Sequence, residues 1–594
     1  MEWKVYRPDC LIVGSGCAGF NAADCLYNSG LHNILLVTEG VNMGTSRNTG
    51  SDKQTYYKLA ISSDCTDSVG RMAESYFAGQ AMSGELALVE SANSLSCFFK
   101  LLHLGVPFPQ NEYGEILGYQ TDHDDTKRAT SAGPLTSKYM TEVLERAVRQ
   151  KQIPILDKVA VVKLFVRENR LCGALGFKRD TNEFVLFETT NIILATGGSA
   201  SLYRDSVYPA SQTGMTGIAI EAGAQTVNLT EWQYGLASVD FRWNVSGSYQ
   251  QVLPRYVSID ENGIEREFLA EQLSREEMLL YIFRKGYQWP FDCRKRDTSS
   301  KIDLLVHQEM RKGRKVYLDF LHNPSGFSLD ALPKEAYDYL KNSDALKDTP
   351  IKRLLAMNRR AYELYASHGI DLNTDYLRIA VCAQHQNGGL RVDCNYQTTV
   401  EGLYAAGEAA GVFGVYRPGG SALNSTQVSS MRAAKHIVEK CRASAPDLQT
   451  EAETFINSIN LKVLTNACFT DIQKQLQGKM SDYAAFLRDA DQIRLLKAEL
   501  EGYLSEAEQM AVSKEQLYRY FKYRDFLITA KEVLTAMLLW CAEIGARGSA
   551  VTVGSSRVDH ADVMVCTRDG KAFLEQPAPI PESEVWFERV YNSR

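Results

Sequence analysis

Three glycines in the spacing Gly-x-Gly-x-x-Gly, Gly14, Gly16 and Gly19, are followed twenty residues after the last of them by an acid, Glu39. Residues of these types at this spacing can hold a dinucleotide. Gly14 permits a tight turn, Gly16 lets backbone approach a pyrophosphate, and Gly19 lets a helix pack closely on a strand. The first amides of that helix face the anion, and Glu39 can accept hydrogen bonds from a ribose. The glycines alone could be an ordinary turn, and Glu39 alone an exposed strand-end carboxylate. Their context decides between these readings: an apolar strand, Cys10 to Val13, precedes the glycines, a helix over Asn21 to Ser29 follows, and a second apolar strand, Ile34 to Thr38, ends at Glu39. Strand, helix, strand and terminal acid together close a βαβ unit around a nucleotide site.

The elements around this unit belong to a large, ordinary globular chain. At 594 residues it exceeds one hydrophobic core, so two or three domains are expected. Hydrophobic residues make up 45% and charged residues 23%, which excludes a disordered chain. A net charge of -7 without long single-sign runs offers no footprint for nucleic acid or an anionic membrane. The longest apolar stretches fall short of the ~20 residues that cross a bilayer. Met1 to Asp9 shows no basic-then-apolar leader, so a cytoplasmic location is the expectation. Thirteen cysteines lie scattered without a Cys-x-x-Cys pair, so no zinc or iron-sulfur site is expected within this chain.

Further segments in fixed order carry a family resemblance. Met43 to Gly50 reads Met-Gly-Thr-Ser-Arg-Asn-Thr-Gly, Ile192 to Gly198 reads Ile-Ile-Leu-Ala-Thr-Gly-Gly, and Thr213 to Ala224 is a glycine-rich helix opening that contains Thr216. Val400 to Ala422 contains Tyr-Ala-Ala-Gly-Glu-Ala-Ala-Gly and then Tyr-Arg-Pro-Gly-Gly-Ser-Ala, and Gly545 onward reads Gly-Ala-Arg-Gly-Ser-Ala. With the fingerprint, these resemble the flavoproteins of the succinate dehydrogenase and fumarate reductase family, which also includes L-aspartate oxidase and the alpha chain of adenylylsulfate reductase.

The resemblance implies an α/β fold, α+β overall: a Rossmann-like FAD-binding domain with an inserted capping domain and a C-terminal helical domain. The expected boundaries are 1–240 and 370–445 for the two parts of the FAD domain, 241–369 for the cap, 446–550 for the helical domain and 551–594 for a tail. FAD would be bound by Gly14, Gly16, Gly19, Glu39, Thr45, Ser46, Gly50, Ala195, Thr196, Gly197, Thr216, Gly407, Glu408, Ser421, Ala422 and Leu423. Covalently flavinylated members carry a histidine in the loop where this chain has Thr45, Ser46 and Arg47, so non-covalent FAD is expected.

In fumarate reductases an arginine and two histidines grip the substrate and a second arginine supplies a proton. Of these, the resemblance carries over only Arg417 as carboxylate anchor. Gln384 stands at the first histidine position with His385 beside it, Gly235 at the second, and Val252 at the acid arginine, with Arg255 and Tyr256 just beyond. His385 or Arg255 is then the candidate proton donor, with bland readings as packing or structural residues beside each. Glycine and alanine at positions 235 and 237 are expected to open room for a bulkier molecule, lined by Tyr234, Trp243, Tyr249 and Tyr256. The expected activity is reduction of an activated C=C bond in a carboxylated substrate other than fumarate. Alternatives are a C–N oxidase like L-aspartate oxidase, or an electron-transfer component working with an iron-sulfur, ferredoxin-like partner.

Overall fold

The computed structural model describes residues 4–62, 65–121, 123–440, 445–462, 468–555 and 562–593. At its centre lies a five-stranded, all-parallel sheet in the order Leu403–Ala405, Ile192–Leu194, Cys10–Val13, Ile34–Val37, Ile155–Leu156. The first four of these strands are short, wholly buried runs of Ile, Leu, Val, Cys, Tyr and Ala, as expected of strands covered on both faces. The helix Cys17–Asn28 follows the strand Cys10–Val13, starting four residues earlier than the sequence pattern places it. Buried Asn21 donates to the Gln427 carbonyl at 3.0 Å and to Ser430 Oγ at 2.8 Å, joining this helix to the long helix Ser421–Lys440.

A second sheet, the meander Val159–Arg167, Arg170–Lys178 and Glu183–Glu188, is extended by Lys4–Tyr6 in parallel. A third, of six strands, runs Trp243–Asn244, Trp232–Ser238, Leu377–Gln386, Lys315–Asp319, Arg255–Ile259 and Glu265–Arg266. It stitches the segment 241–369 to strands on either side of it. The turn at Asp260 to Gly263 closes its last hairpin, with Gly263 at φ 80°. Beyond 446 come the helices Gln449–Asn457, Phe469–Tyr483, Ala490–Gln509 and Leu517–Glu543. The chain then returns as Met564–Arg568 to pair with Thr226–Val227. No described helix is long and apolar enough to cross a membrane. No disulfide and no group that could hold a metal ion occurs among the described residues.

The head of the parallel sheet is packed at backbone distance. A Cβ on Gly19 would lie 1.9 Å from the Gly14 carbonyl oxygen, and one on Gly14 2.3 Å from that of Ala195. Gly30, at φ 95°, has nothing within 4 Å of its own missing Cβ. Gly19→Ala is therefore expected to cost about 3 kcal/mol, the upper end for overpacking, and to lower flavin content. Gly30→Ala should cost only roughly 1 kcal/mol of left-handed strain. Thermal denaturation of both variants checks the contrast, and equal losses would show that space at Gly19 is not the constraint.

Candidate functional site

A cavity of about 970 Å3 opens at the carboxyl ends of the parallel strands. That is the upper end of the range for small-molecule sites, roughly 300–1,000 Å3, and suits a dinucleotide-sized ligand. One part of its wall is Gly14, Gly16, Glu39, Thr45, Ser46 and Gly50, and a second is Ala195, Thr196, Gly197, Gly407 and Glu408. Gln384, His385, Arg417, Ala422 and Leu423 form a third.

The residues fit FAD at this position. A Cβ on Gly16 would meet only the Ser46 side chain, at 3.1 Å, so backbone is exposed to the cavity there. Cys17 N, the first amide of its helix, donates to Ser46 Oγ at 3.2 Å, which sets the short turn Thr45–Asn48 over the glycines. Buried Thr45 Oγ1 borders the cavity without a hydrogen-bond partner among the described residues, a polar atom a cofactor would satisfy. Arg47 in the same turn is paired with Glu145 and turned from the cavity wall. Gln212 Nε2 donates to the Thr196 and Gly198 carbonyls, at 2.7 and 3.2 Å, holding the Ala-Thr-Gly-Gly turn. Glu408 accepts from the Tyr208 hydroxyl and, at 2.8 Å, from Gln386 N. Burial raises its carboxyl above the usual range.

Some expected residues lie behind the wall. Gly19 acts only through the helix contact, Thr216 Oγ1 pairs with Ser199 Oγ at 2.8 Å, and Ser421 Oγ donates to the Pro418 carbonyl at 2.7 Å. Arg255 and Tyr256 do not reach the cavity at all. Arg255 sits in a cluster with Glu265, Glu267 and Asp319, at 2.5 to 3.2 Å, which holds its guanidinium protonated. Tyr256 donates to Gln250 Oε1 at 2.6 Å within the core. Strand pairing explains both: Arg255 and Tyr256 lie opposite Asp319 and Leu318 in the six-stranded sheet.

Arg417, 7% exposed, is held by Gln233 Oε1 at 2.6 Å from Nη2 and by Ser421 Oγ at 3.3 Å from Nη1. Gln384 is fully employed: Nε2 donates to the Gly235 and Leu236 carbonyls at 2.8 and 3.2 Å, and Oε1 accepts from Asn244 at 3.1 Å. His385 has a defined tautomer. Asn387 Nδ2 donates to the Gly414 and Val415 carbonyls, so its Oδ1 faces His385 Nδ1 at 3.0 Å and that nitrogen carries the proton. Nε2 is left as a lone pair, 3.8 Å from Glu408 Oε1 and without a hydrogen-bond partner among the described residues. Burial first, and Arg417 second, push the imidazole well below its ordinary value, so it is neutral.

The aromatic lining differs from expectation. Tyr234, Trp243, Tyr249 and Tyr256 are core residues with at most 2% exposure. Phe283, Tyr287, Trp289 and Tyr339 border the cavity instead. Nor does Gly235 leave space, because its missing Cβ would sit 2.4 Å from Trp289 Nε1: the indole fills the gap. Trp289 and Gln233 carry no motif and were legible only through these contacts. Glu231, just before the strand Trp232–Ser238, pairs with buried Arg547 at 2.7 Å.

Residues 9–423 match the family model described as FAD binding domain. A component of the fumarate reductase (CoM/CoB) of Methanothermobacter marburgensis is 26% identical over 476 residues, 77% of this chain and 78% of that protein. The L-aspartate oxidase of Clostridium perfringens is 26% identical over 438 residues, 72% of this chain and 86% of that protein. Among solved structures, FrdA of the E. coli quinol fumarate reductase superposes with a TM-score of 0.73 at 18% identity, covering 98% of each chain, a likeness of fold.

Nitrogen-15 NMR of histidine-labelled protein is expected to show His385 as the Nδ1–H tautomer, with no titration between pH 8 and pH 6. In Asn387→Ala the tautomer preference should be lost. A free-histidine-like midpoint near 6.5 would contradict neutrality by burial.

Proposed function

The chain belongs to the FAD binding domain family and is an FAD-dependent oxidoreductase, and on that premise we propose that it reduces an activated C=C bond in a carboxylated substrate other than fumarate. The observation that carries this reading is Arg417, buried, held by Gln233 and bordering the cavity that fits FAD. Bound FAD, which the histidine-free turn Thr45–Asn48 suits to non-covalent binding, supplies two-electron hydride chemistry. Arg417 binds the substrate carboxylate and withdraws charge from the conjugated alkene. Gln384, Gly235 and Val252 replace donors that fumarate reduction employs, and Gln384 has no free donor to offer. Trp289 and Phe283 exclude water and give the substrate body an apolar wall.

A second reading is favoured by His385. A neutral imidazole with a lone pair at Nε2 accepts a proton more readily than it gives one, which suits removal of a proton from a C–H or N–H group during oxidation, as in an amino-acid oxidase. If His385 instead donates during alkene reduction, only its small protonated fraction is active. A third arrangement, electron supply by an iron-sulfur partner, is consistent with the lack of cluster ligands among the described residues.

Anaerobic stopped-flow reoxidation of the reduced protein by a panel of alkenoates, with fumarate, oxygen and sulfur oxyanions as comparators, tests these readings. Rapid reoxidation by an alkenoate, slowed about 10²–10³-fold in Arg417→Ala, is expected for loss of a well-placed donor. With His385 as donor the rate rises roughly tenfold for each unit of pH lowered between 8 and 6, since its protonated fraction does. Reoxidation only by oxygen, with flavin reduction by an amino acid independent of pH in that window, would replace the first reading with the second.

A further inference from the structure

The sequence places the ribose-facing acid, Glu39, at the end of a strand in the N-terminal βαβ unit, but its carboxylate is held by the far end of the chain. Lys522 Nζ lies 2.7 Å from Glu39 Oε1, and the Tyr518 hydroxyl donates to Oε2 at 2.5 Å. The pair is nearly buried, with side-chain exposures of 13% for Lys522 and 16% for Glu39. Both partners come from the helix Leu517–Glu543. Tyr518, Lys522 and Asp525 stand at i, i+4 and i+7, one face of that helix.

Tyr518 and Lys522 engage the rim of the cavity, and Asp525 the helix Thr216–Glu221 behind it. Lys522 Nζ also reaches the Gly214 carbonyl at 3.4 Å, and Asp525 Oδ1 accepts from Ile218 N at 2.9 Å. Gly214 borders the cavity beside Glu39. The helices meet at backbone distance, since a Cβ on Gly217 would lie 2.5 Å from the Asp525 carbonyl oxygen. The face is therefore seated and cannot slide. Neither Tyr518 nor Lys522 borders the cavity, so Tyr518 acts on a ligand through Glu39, and Lys522 does so through Glu39 at 2.7 Å ahead of the longer contact to Gly214.

A carboxylate has about four acceptor positions. Lys522 and Tyr518 occupy two, one on each oxygen, and fix its plane, while the remaining two can accept from a vicinal diol. We propose that Lys522 and Tyr518 are positioning residues for the adenosine half of FAD: through Glu39 the C-terminal helical segment orients the ribose acceptor and retains the cofactor. The inference rests on reading Glu39 as that acceptor, and the experiment separates the two.

The full-length protein, purified with its FAD, is diluted and cofactor release is followed by flavin fluorescence, with the bound flavin spectrum recorded beforehand. Glu39→Gln and Lys522→Ala are each expected to release FAD about tenfold faster, the scale of one charge-assisted hydrogen bond. The flavin spectrum should be unchanged, because the isoalloxazine ring is not involved. Lys522→Arg should stay within about twofold of the parent. The double variant should be no faster than Glu39→Gln alone, because both act through one carboxylate. Release from Glu39→Gln at the parent rate removes the ribose reading and the inference with it. A normal rate in Lys522→Ala beside a fast Glu39→Gln, or effects that add in full, overturns the inference alone and leaves Lys522 a packing residue.

Discussion

The missing side chains of Gly14 and Gly19 are the constraint on which the molecule turns. The helix Cys17–Asn28, the strand Cys10–Val13 and Ala195, just after the strand Ile192–Leu194, approach one another so closely that a Cβ at either position would overlap a neighbouring carbonyl. That approach brings the amide end of the helix Cys17–Asn28 to the carboxyl edge of the parallel sheet, where the cavity opens. Helix and sheet are then clamped from behind by Asn21 on the helix Ser421–Lys440, the same helix whose first turn carries Ala422 and Leu423 into the cavity wall. The cradle is thus built from segments joined by hydrogen bonds that span 406 and 409 positions of the chain.

The part of the cavity around Arg417 is set by charge economy. One guanidinium, Arg417, is held there by neutral oxygens of Gln233 and Ser421. Burial first, and its field second, keep His385 neutral, and Asn387 decides which imidazole nitrogen keeps the proton. A low-dielectric site of this kind strengthens a single well-aimed charge while making a second of the same sign expensive. The departures from the fumarate-reducing pattern are therefore not simple deletions: Gln384 trades a charged grip for a tie between two strands, and the volume vacated at Gly235 is taken by an indole.

Much of the cavity wall was legible because it depends on local backbone. Glycine spacing, short apolar strands and the Gly-Glu and Arg-Pro-Gly-Gly runs each specify a turn or strand end, and a turn looks the same in sequence wherever it later docks. Hence Gly14, Gly16, Thr45, Ala195, Glu408 and Arg417 all appear in the cavity wall. Arg255 and Tyr256 failed because β-pairing opposite Asp319 and Leu318, a non-local contact, consigned them to an ion cluster and to the core.

By itself the sequence determined the family, the cofactor class and the turns and strand ends that line the cavity, since these follow from backbone geometry encoded by neighbouring residues. Only the tertiary structure decided which aromatic rings face the cavity, that Trp289 fills the space at Gly235, that His385 is neutral, and that Glu39 is held by Lys522 and Tyr518. Each of these depends on burial or on a partner distant in the chain. Solvent exclusion and long-range docking are properties of the packed chain, and no short stretch of residues contains them.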